Sequence, residues 1–470
     1  MTGLISYGTY VPYFRLDKRA ITTAMASGGG KGTRAVASYD EDTTSMGVEA
    51  ARNALAALPG AKARALVFST TDPAYLDKTN ATAIHAALGL PQEAFAVDAI
   101  GSVRSGVGAL LLAASCAKPT MVVLSDRRTG QPTSSDEANG GDAAVALLFG
   151  EEGVVAELIA QASSTAEFLD RWRAPGSSSS QLWEERFAET MYVPLAQAAI
   201  TDACKQAGIT ADTIDHLVVT GTHMRAVGVT AKSAGVKVGA LIDDLTGSIG
   251  NAGVAASSLM LCSALDRAGS NEVVVQVSVA DGVDVLVWRT TAQLAKFKAA
   301  RTSATLAAQI AAGNAGLSYT QFLSWKGELR REPPRRPDFD RPSAPAMSRD
   351  DGWKFPFTGS RCTDCGTRHI PPQRVCVTCR AIDQMEAERL ADVPATIATF
   401  TIDRLAFSPS PPAIFAVVDF DGGGRFSCEL TDADPASVAI GQRVEMTFRR
   451  LYTAHGIHNY FWKARPIRVK

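Results

Sequence analysis

No apolar run in the chain reaches bilayer-spanning length; the stretch "LLLAASCA" is short and lies mid-chain, so no membrane span is expected. The first residues, "MTGLISYGTYVPYFRL", lack the basic start and long apolar centre of a secretion signal, which leads us to expect a cytoplasmic protein. An excess of one charge is also missing. The 47 Lys and Arg balance 48 Asp and Glu to a net charge of −1, so nothing electrostatic points to nucleic acid as a partner. Aromatic residues are only 7%, and no sterol-sized or aromatic pocket follows from them. Cysteines number eight. Four of them, Cys116, Cys204, Cys262 and Cys428, are scattered through apolar segments and read as small buried hydrophobes in a reducing compartment.

What the chain does have is length and internal repetition. Its 470 residues suffice for two to four domains. In the first half, helix-periodic "SMGVEAARNALAAL" precedes the buried-strand run "ARALVFSTT"; in the second, "PLAQAAITDACKQAG" precedes "IDHLVVTGT". The series "SGVGALLLAAS", "TMVVLSD", "GDAAVALLFG" is then answered by "NAGVAASSLMLCSAL", "EVVVQVSVADG", "VDVLVWRTT". Residues 1–292 thus read as a duplicated α/β domain with strands apolar on both faces. Helices expected at 105–115 and 252–265 would face each other across a pseudo-twofold axis, their N-termini converging on one site.

Residues 293–355 change texture: a helical stretch is followed by "LRREPPRRPDFDRPSAP", a connector whose arginines read as a solvated face or as contacts to a phosphate-bearing ligand. In residues 356–385, Cys362, Cys365, Cys376 and Cys379 form two Cys-x-x-Cys knuckles with ten residues between them. Two knuckles complete a tetrahedral, all-thiolate structural zinc site with no open position for catalysis. The alternatives are two disulfides or a site that has lost its metal. Residues 386–470 hold five short strands, "ATIATFTID", "AIFAVVDF", "RFSCELT", "RVEMTFR" and "NYFWKARPIRV", which suggest a small all-β barrel of the OB type. These strands lack the basic-aromatic stripe of a nucleic-acid module.

Three places in the duplicated domain bear on chemistry. "AFAVDAIGSVRSGVGALLLA" runs from strand through a tight turn into a helix, as where nucleophiles sit, yet it offers no cysteine, only Ser102 and Ser105. His223 in "VVTGTHMRAVG" follows a strand end, where α/β proteins build sites, although a lone histidine is also a common structural residue. Asn251 in "GSIGNAGVAAS" opens the second central helix and reads either as its N-cap or as a site donor. An imidazole N–H and an amide N–H together could hold a thioester oxygen as it becomes an enolate.

The stretches "EDTTSMGVEAARNAL", "AEFLDRWRAPG" with "EERF", "GTHMRA", "GSIGNAGVAAS" and the "VADG" loop resemble the thiolase superfamily, hydroxymethylglutaryl-CoA synthases above all. The resemblance implies the layered αβαβα thiolase fold and a Cys–His–Asn-type site, with His223 and Asn251 on the histidine and asparagine. Residues 310–470 resemble the rubredoxin-like zinc-ribbon/OB-fold proteins that partner such enzymes and help bind acyl-CoA. The match also shows what is missing. The family's cysteine falls at Val103 or Arg104, and the synthase's general-base glutamate at Thr71. The favoured expectation is a Cys-independent aldolase or lyase acting on a CoA thioester, with Asp72, Tyr75 and Asp281 as candidate bases. The alternatives are a hydroxymethylglutaryl-CoA synthase-type acyltransferase, or a non-catalytic scaffold for a separate thiolase. A homodimer is also expected, paired through "TMVVLSD" as an edge strand.

Overall fold

The computed structural model describes residues 2–468 apart from 59, 62, 336 and 338. Nine strands of the α/β domain form one sheet: β1 (Gly3–Tyr10), β2 (Ala65–Thr70), β3 (Phe95–Ile100), β4 (Thr120–Arg127), β5 (Asp142–Gly150), β6 (Ala156–Ser164), β7 (His216–Gly221), β8 (Val273–Val279) and β9 (Val283–Thr290). Their spatial order is β7-β8-β9-β6-β1-β5-β4-β2-β3, and the halves join through the single pair Leu4–Ala156. Outward from that join the first half runs β1-β5-β4-β2-β3 and the second β6-β9-β8-β7. The backbone of Leu241 bridges Leu217 of β7 in parallel, where the first half has β3 beside β2. The repeat seen in the sequence is thus a repeat of topology.

Apolar residues on both faces of the strands require cover on both sides. Helices α1 (Thr43–Ala56), α2 (Ser105–Ala114), α3 (Glu185–Ala207), α4 (Met224–Ser233) and α5 (Ala256–Arg267) supply most of it. One core cluster packs α2 and α5 together between the half-sheets, joining Val107 and Leu110 to Leu259, Leu261 and Leu265. A second places α1 on the outer face of the first half, and a third packs α3 on the outer face of the second. The layers are therefore helix, sheet, helices, sheet, helix, the thiolase-type αβαβα arrangement. α2 packs closely on the turn that leads into α5 because residue 106 is glycine: a Cβ there would lie 2.9 Å from the Val254 carbonyl oxygen.

Two expectations are corrected. "TMVVLSD" lies in β4, between β5 and β2, and is no edge strand. Every residue of that run is buried, as a central strand requires, whereas the edge strand β3 leaves Phe95 66% exposed. The second central helix does not start at 252. A 3₁₀ turn, Gly253–Ala255, precedes α5, so Asn251 lies outside the helix in an isolated bridge with Gly140.

Past the α/β domain, short helices include α6 (Tyr319–Lys326), and residues 327–343 form no helix or strand among those described. A three-stranded ribbon (Thr358–Cys362, Arg368–His369, Met385–Arg389) carries the cysteine knuckles. The antiparallel barrel has β10 (Ala395–Asp403), β11 (Ala413–Phe420), β12 (Arg425–Glu429), β13 (Arg443–Ala454) and β14 (Ile457–Pro466), in the order β12-β11-β10-β13-β14. A bridge from Leu430 to Ala464 draws its outer strands together. The barrel docks on α1. Phe357, Ile397, Phe448 and Trp462 share one core cluster with Met46, Ala50 and Phe68. Beside it lies a buried ionic layer: Arg449 meets Asp40 at 3.2 Å, Glu41 at 2.9 Å and Asp432 at 2.6 Å, and Lys463 meets Asp40 and Glu429 at 2.9 Å each. Among the described residues, no helix is long and apolar enough to cross a membrane.

Candidate active site

The parallel strands of both halves end at one region, the usual place for a site in such sheets. Thr71 follows β2, the Gly101–Arg104 turn follows β3, and Asp126 stands near the end of β4. From the second half come Thr222 and His223 after β7, and Ala280 and Asp281 after β8. His223 caps α4: its Nδ1 accepts the Ala226 N–H at 3.1 Å. With Nδ1 an acceptor, the ring proton is assigned to Nε2. His223 is only 9% exposed, and its Nε2 has no hydrogen-bond partner among the described residues. Asn251 shares with it a cavity of about 330 Å³. The amide is held firmly: Nδ2 donates to the Gly221 carbonyl at 2.7 Å and Oδ1 accepts the Gly253 N–H at 2.9 Å. One Nδ2 hydrogen remains for a ligand. Gly253 is needed here, at φ +53°, because a Cβ would stand 1.9 Å from Asp126 Oδ2.

A larger cavity of about 590 Å³ adjoins the first and shares Arg128, Thr129, Arg171 and Thr222 with it. Ser102 and Val103 of the turn line this space. No hydrogen bond reaches the Ser102 hydroxyl from any base among the described residues. Ser105 turns away: its Oγ lies 3.5 Å from the Ile100 carbonyl oxygen, and it lines neither cavity. Arg104 reaches across to the second half, with two hydrogen bonds to Asp284 at 2.9 and 3.0 Å and one to the Asp281 carbonyl at 2.8 Å. The hydrogen-bonded Asp284 carboxylate raises its pKa. The turn that would carry a nucleophile is instead locked by a guanidinium.

The three expected bases are spread out. Asp72 lines the larger cavity but is paired with Arg127 at 3.0 Å. Tyr75 belongs to the barrel contact, its hydroxyl accepting the His458 N–H at 2.8 Å, and it lines neither cavity. Asp281 lines the larger cavity at φ +49°, its N–H donating to Tyr192 Oη at 3.2 Å. Sequence reasoning missed Asp170. This carboxyl is 5% exposed, lines the His223 cavity, and accepts the Tyr192 hydroxyl at 3.2 Å. Burial raises its pKa. The available signal was an acid set among apolar and aromatic residues in "EFLDRW". Thr71 is tied to Asp126 at 3.0 Å and to Arg128 at 2.9 Å.

In the ribbon, the four sulfur ligands of Cys362, Cys365, Cys376 and Cys379 lie within 4.8 Å of one another. Cys362 and Cys379 approach to 3.6 Å, and Cys365 and Cys376 to 3.5 Å. A tetrahedron with zinc–sulfur bonds of about 2.3 Å has edges of about 3.8 Å, so the set fits zinc. All eight cysteines are free thiols.

Comparison with known proteins agrees with this architecture. Residues 357–383 match the model of the ChsH2 rubredoxin-like zinc ribbon domain, and residues 388–449 that of the ChsH2 C-terminal OB-fold domain. A hydroxymethylglutaryl-CoA synthase from Pyrococcus horikoshii is 27% identical over 291 residues, 60% of this chain and 83% of that protein. A DUF35 domain-containing scaffold protein from Methanocaldococcus jannaschii is 29% identical over 119 residues, 24% of this chain and 84% of that protein. Among solved structures, PksG, an HMG-CoA synthase from Bacillus subtilis, superposes with TM-score 0.59 at 19% identity, over 69% of this chain and 88% of that one. MvaS in complex with 3-hydroxy-3-methylglutaryl coenzyme A superposes with TM-score 0.57 at 17% identity, over 73% and 94%. The chain thus joins a thiolase-like α/β fold with hydroxymethylglutaryl-CoA synthase-like relatives to a ChsH2-type zinc ribbon and OB fold.

Proposed function

We propose that the α/β domain makes or breaks a carbon–carbon bond in an acyl-CoA without covalent catalysis, acting as an aldolase or lyase on a β-hydroxyacyl-CoA. The buried Nε2–H of His223, without a partner among the described residues, on a side chain that lines a cavity, and a neighbouring turn that has no thiol carry this reading. In cleavage, a carboxylate removes the β-hydroxyl proton, the Cα–Cβ bond breaks, and its electron pair passes into the thioester as an enolate. His223 Nε2–H and Asn251 Nδ2–H donate to the enolate oxygen, which is then relieved by protonation at carbon. Asp170 is best placed as the base, because burial brings its pKa nearer neutrality and it shares the His223 cavity. Condensation is the same path reversed, and it is the direction that the names of the synthase relatives describe.

Zinc is assigned a structural role in the ribbon, far in sequence from these residues. The expected homodimer is reassigned to the edge strand β3, where Phe95 is 66% exposed and Leu112 of α2 is 59% exposed. A separate thiolase as partner draws support from the scaffold relative alone. The experiment is direct: incubate the zinc-loaded protein with β-hydroxyacyl-CoAs and follow the acyl-CoA and carbonyl products by mass spectrometry. Paired products in equal amounts support the lyase. No turnover of any chain length, in either direction, would leave the scaffold reading.

A further inference from the structure

Helix α6 lies outside the duplicated domain, yet two of its residues reach the loop that walls the His223 cavity. That loop, residues 128–141, lends Arg128, Asp136, Asn139 and Gly140 to the wall. The hydroxyl of Tyr319, at the start of α6, donates to the Glu137 carboxylate, 3.0 and 3.2 Å from its two oxygens. Glu137 is buried, and its Oε2 also accepts the Thr133 N–H at 2.7 Å. At the other end of α6, Lys326 Nζ meets Asp142 Oδ2 at 2.6 Å, with neither side chain more than 2% exposed. The second oxygen of Asp142 accepts the Arg128 N–H at 2.9 Å. One helix therefore holds the loop at its middle, through Glu137, and where its two ends meet, through Asp142. Arg34 of the α/β domain holds backbone instead, donating to the Glu137 and Arg128 carbonyls.

The loop in turn holds Asn251. The Asn251 N–H donates to the Asn139 carbonyl at 2.7 Å, and the Asn251 carbonyl accepts the Gly141 N–H at 2.9 Å. The contact has no slack: a Cβ on residue 141 would lie 1.9 Å from the Ile249 carbonyl oxygen. A shift of the loop therefore moves the Asn251 backbone, and its amide moves with it. Misplacing a group at a reacting centre by about 1 Å costs on the order of 10²-fold in rate. α6 itself is pinned to the barrel, where Trp325 Nε1 donates to the Pro409 carbonyl at 3.0 Å. The Trp325 ring also packs against Phe14 and Tyr39.

We propose that Tyr319 and Lys326 are positioning residues for Asn251, acting through Glu137 and Asp142. The amide donor would then depend on a helix from outside the α/β domain. The catalytic half of this rests on the reading of Asn251 as a donor to the enolate; the hold on Asn251 does not. Hydrogen–deuterium exchange of the full-length, zinc-loaded protein tests the hold without any ligand. Tyr319→Phe breaks no ion pair, and Lys326→Met leaves Asp142 with Arg34 at 3.5 Å. In each variant, peptides covering 128–141 and 249–253 should exchange roughly tenfold faster, as losing one bond to a charged group allows. Peptides from α4 and β14 should keep their wild-type rates.

Turnover of the β-hydroxyacyl-CoA that the wild type cleaves fastest tests the consequence. In either variant kcat should fall roughly tenfold, with KM within about threefold of wild type. In an Asn251→Ala background the same substitutions should cost less than about twofold, because the donor they place is gone. Unchanged exchange at 249–253 in both variants would overturn the proposal, as would faster exchange spread equally over α4 and β14. Equal losses of kcat with and without Asn251 would also overturn it. If no β-hydroxyacyl-CoA is turned over, the acyl-CoA reading falls, and exchange alone decides whether α6 holds Asn251.

Discussion

The two ring nitrogens of His223 differ: Nδ1 caps α4, while Nε2–H is buried without a hydrogen-bond partner among the described residues. Removing one donor to a developing oxyanion costs roughly 10²–10³-fold in rate. His223→Ala and Asn251→Ala are each expected to lose that much turnover of a β-hydroxyacyl-CoA. His223→Asn should keep the cap but not the activity, which separates donation from the cost of an uncapped helix, about 1 kcal/mol. Ser102→Ala and Ser105→Ala should stay within about tenfold of wild type, since neither hydroxyl is activated by a base. Steady-state rates of the five variants check this. That His223 and Asn251 come together at one cavity was legible in the sequence, because His223 follows a strand-like run and Asn251 precedes a helix signal. Asp170 was not, because its meaning comes from neighbours far along the chain. Asp170 accepts from Tyr192 and lines the cavity that His223 lines, and neither neighbour is close to it in sequence.

The elements themselves were easier to read than their order. Apart from the start of the second central helix, both sets of repeated strands and helices appear where apolar periodicity puts them, and so do the five barrel strands. What periodicity cannot supply is lateral position: "TMVVLSD" is equally apolar whether central or at an edge, and only the pairing of β4 with β2 and β5 decides. The ribbon shows the opposite case, since ligand spacing alone determines which residues meet. One zinc per chain is expected on metal analysis of freshly purified protein. Cys376→Ala should abolish it and unfold the ribbon, because metal binding and folding are one equilibrium in such sites. Clearly less than one zinc per chain in the wild type would refute the assignment.

For the whole molecule, the ionic layer beneath the barrel governs docking. Arg449, wholly buried, faces three carboxylates, and its loss would leave them without their guanidinium. Arg449→Met is expected to destabilise the docked barrel by about 3–5 kcal/mol, read as early protease cleavage in the connector. Burial pushes the Asp40 carboxyl up, but the charges of Lys463 and Arg449, with hydrogen bonds from Lys463 and Thr431, hold its pKa down to about 2. A depressed carboxyl adds stability above its unfolded value, near 3.8, and loses it as the pH falls through the folded value. Asp40 should therefore contribute fully at pH 5 and weaken docking as the pH drops from about 4 toward 2. Tryptophan fluorescence against pH measures this, Trp462 being part of the docked core.

Non-covalent chemistry at the locked turn is most directly tested by intact-protein and peptide mass spectrometry after incubation with short acyl-CoAs and β-hydroxyacyl-CoAs. The expected result is turnover with no acyl adduct on residues 100–106. An acylated Ser102 or Ser105 that forms and decays at the rate of turnover would contradict the lyase and restore a synthase-like acyl-enzyme.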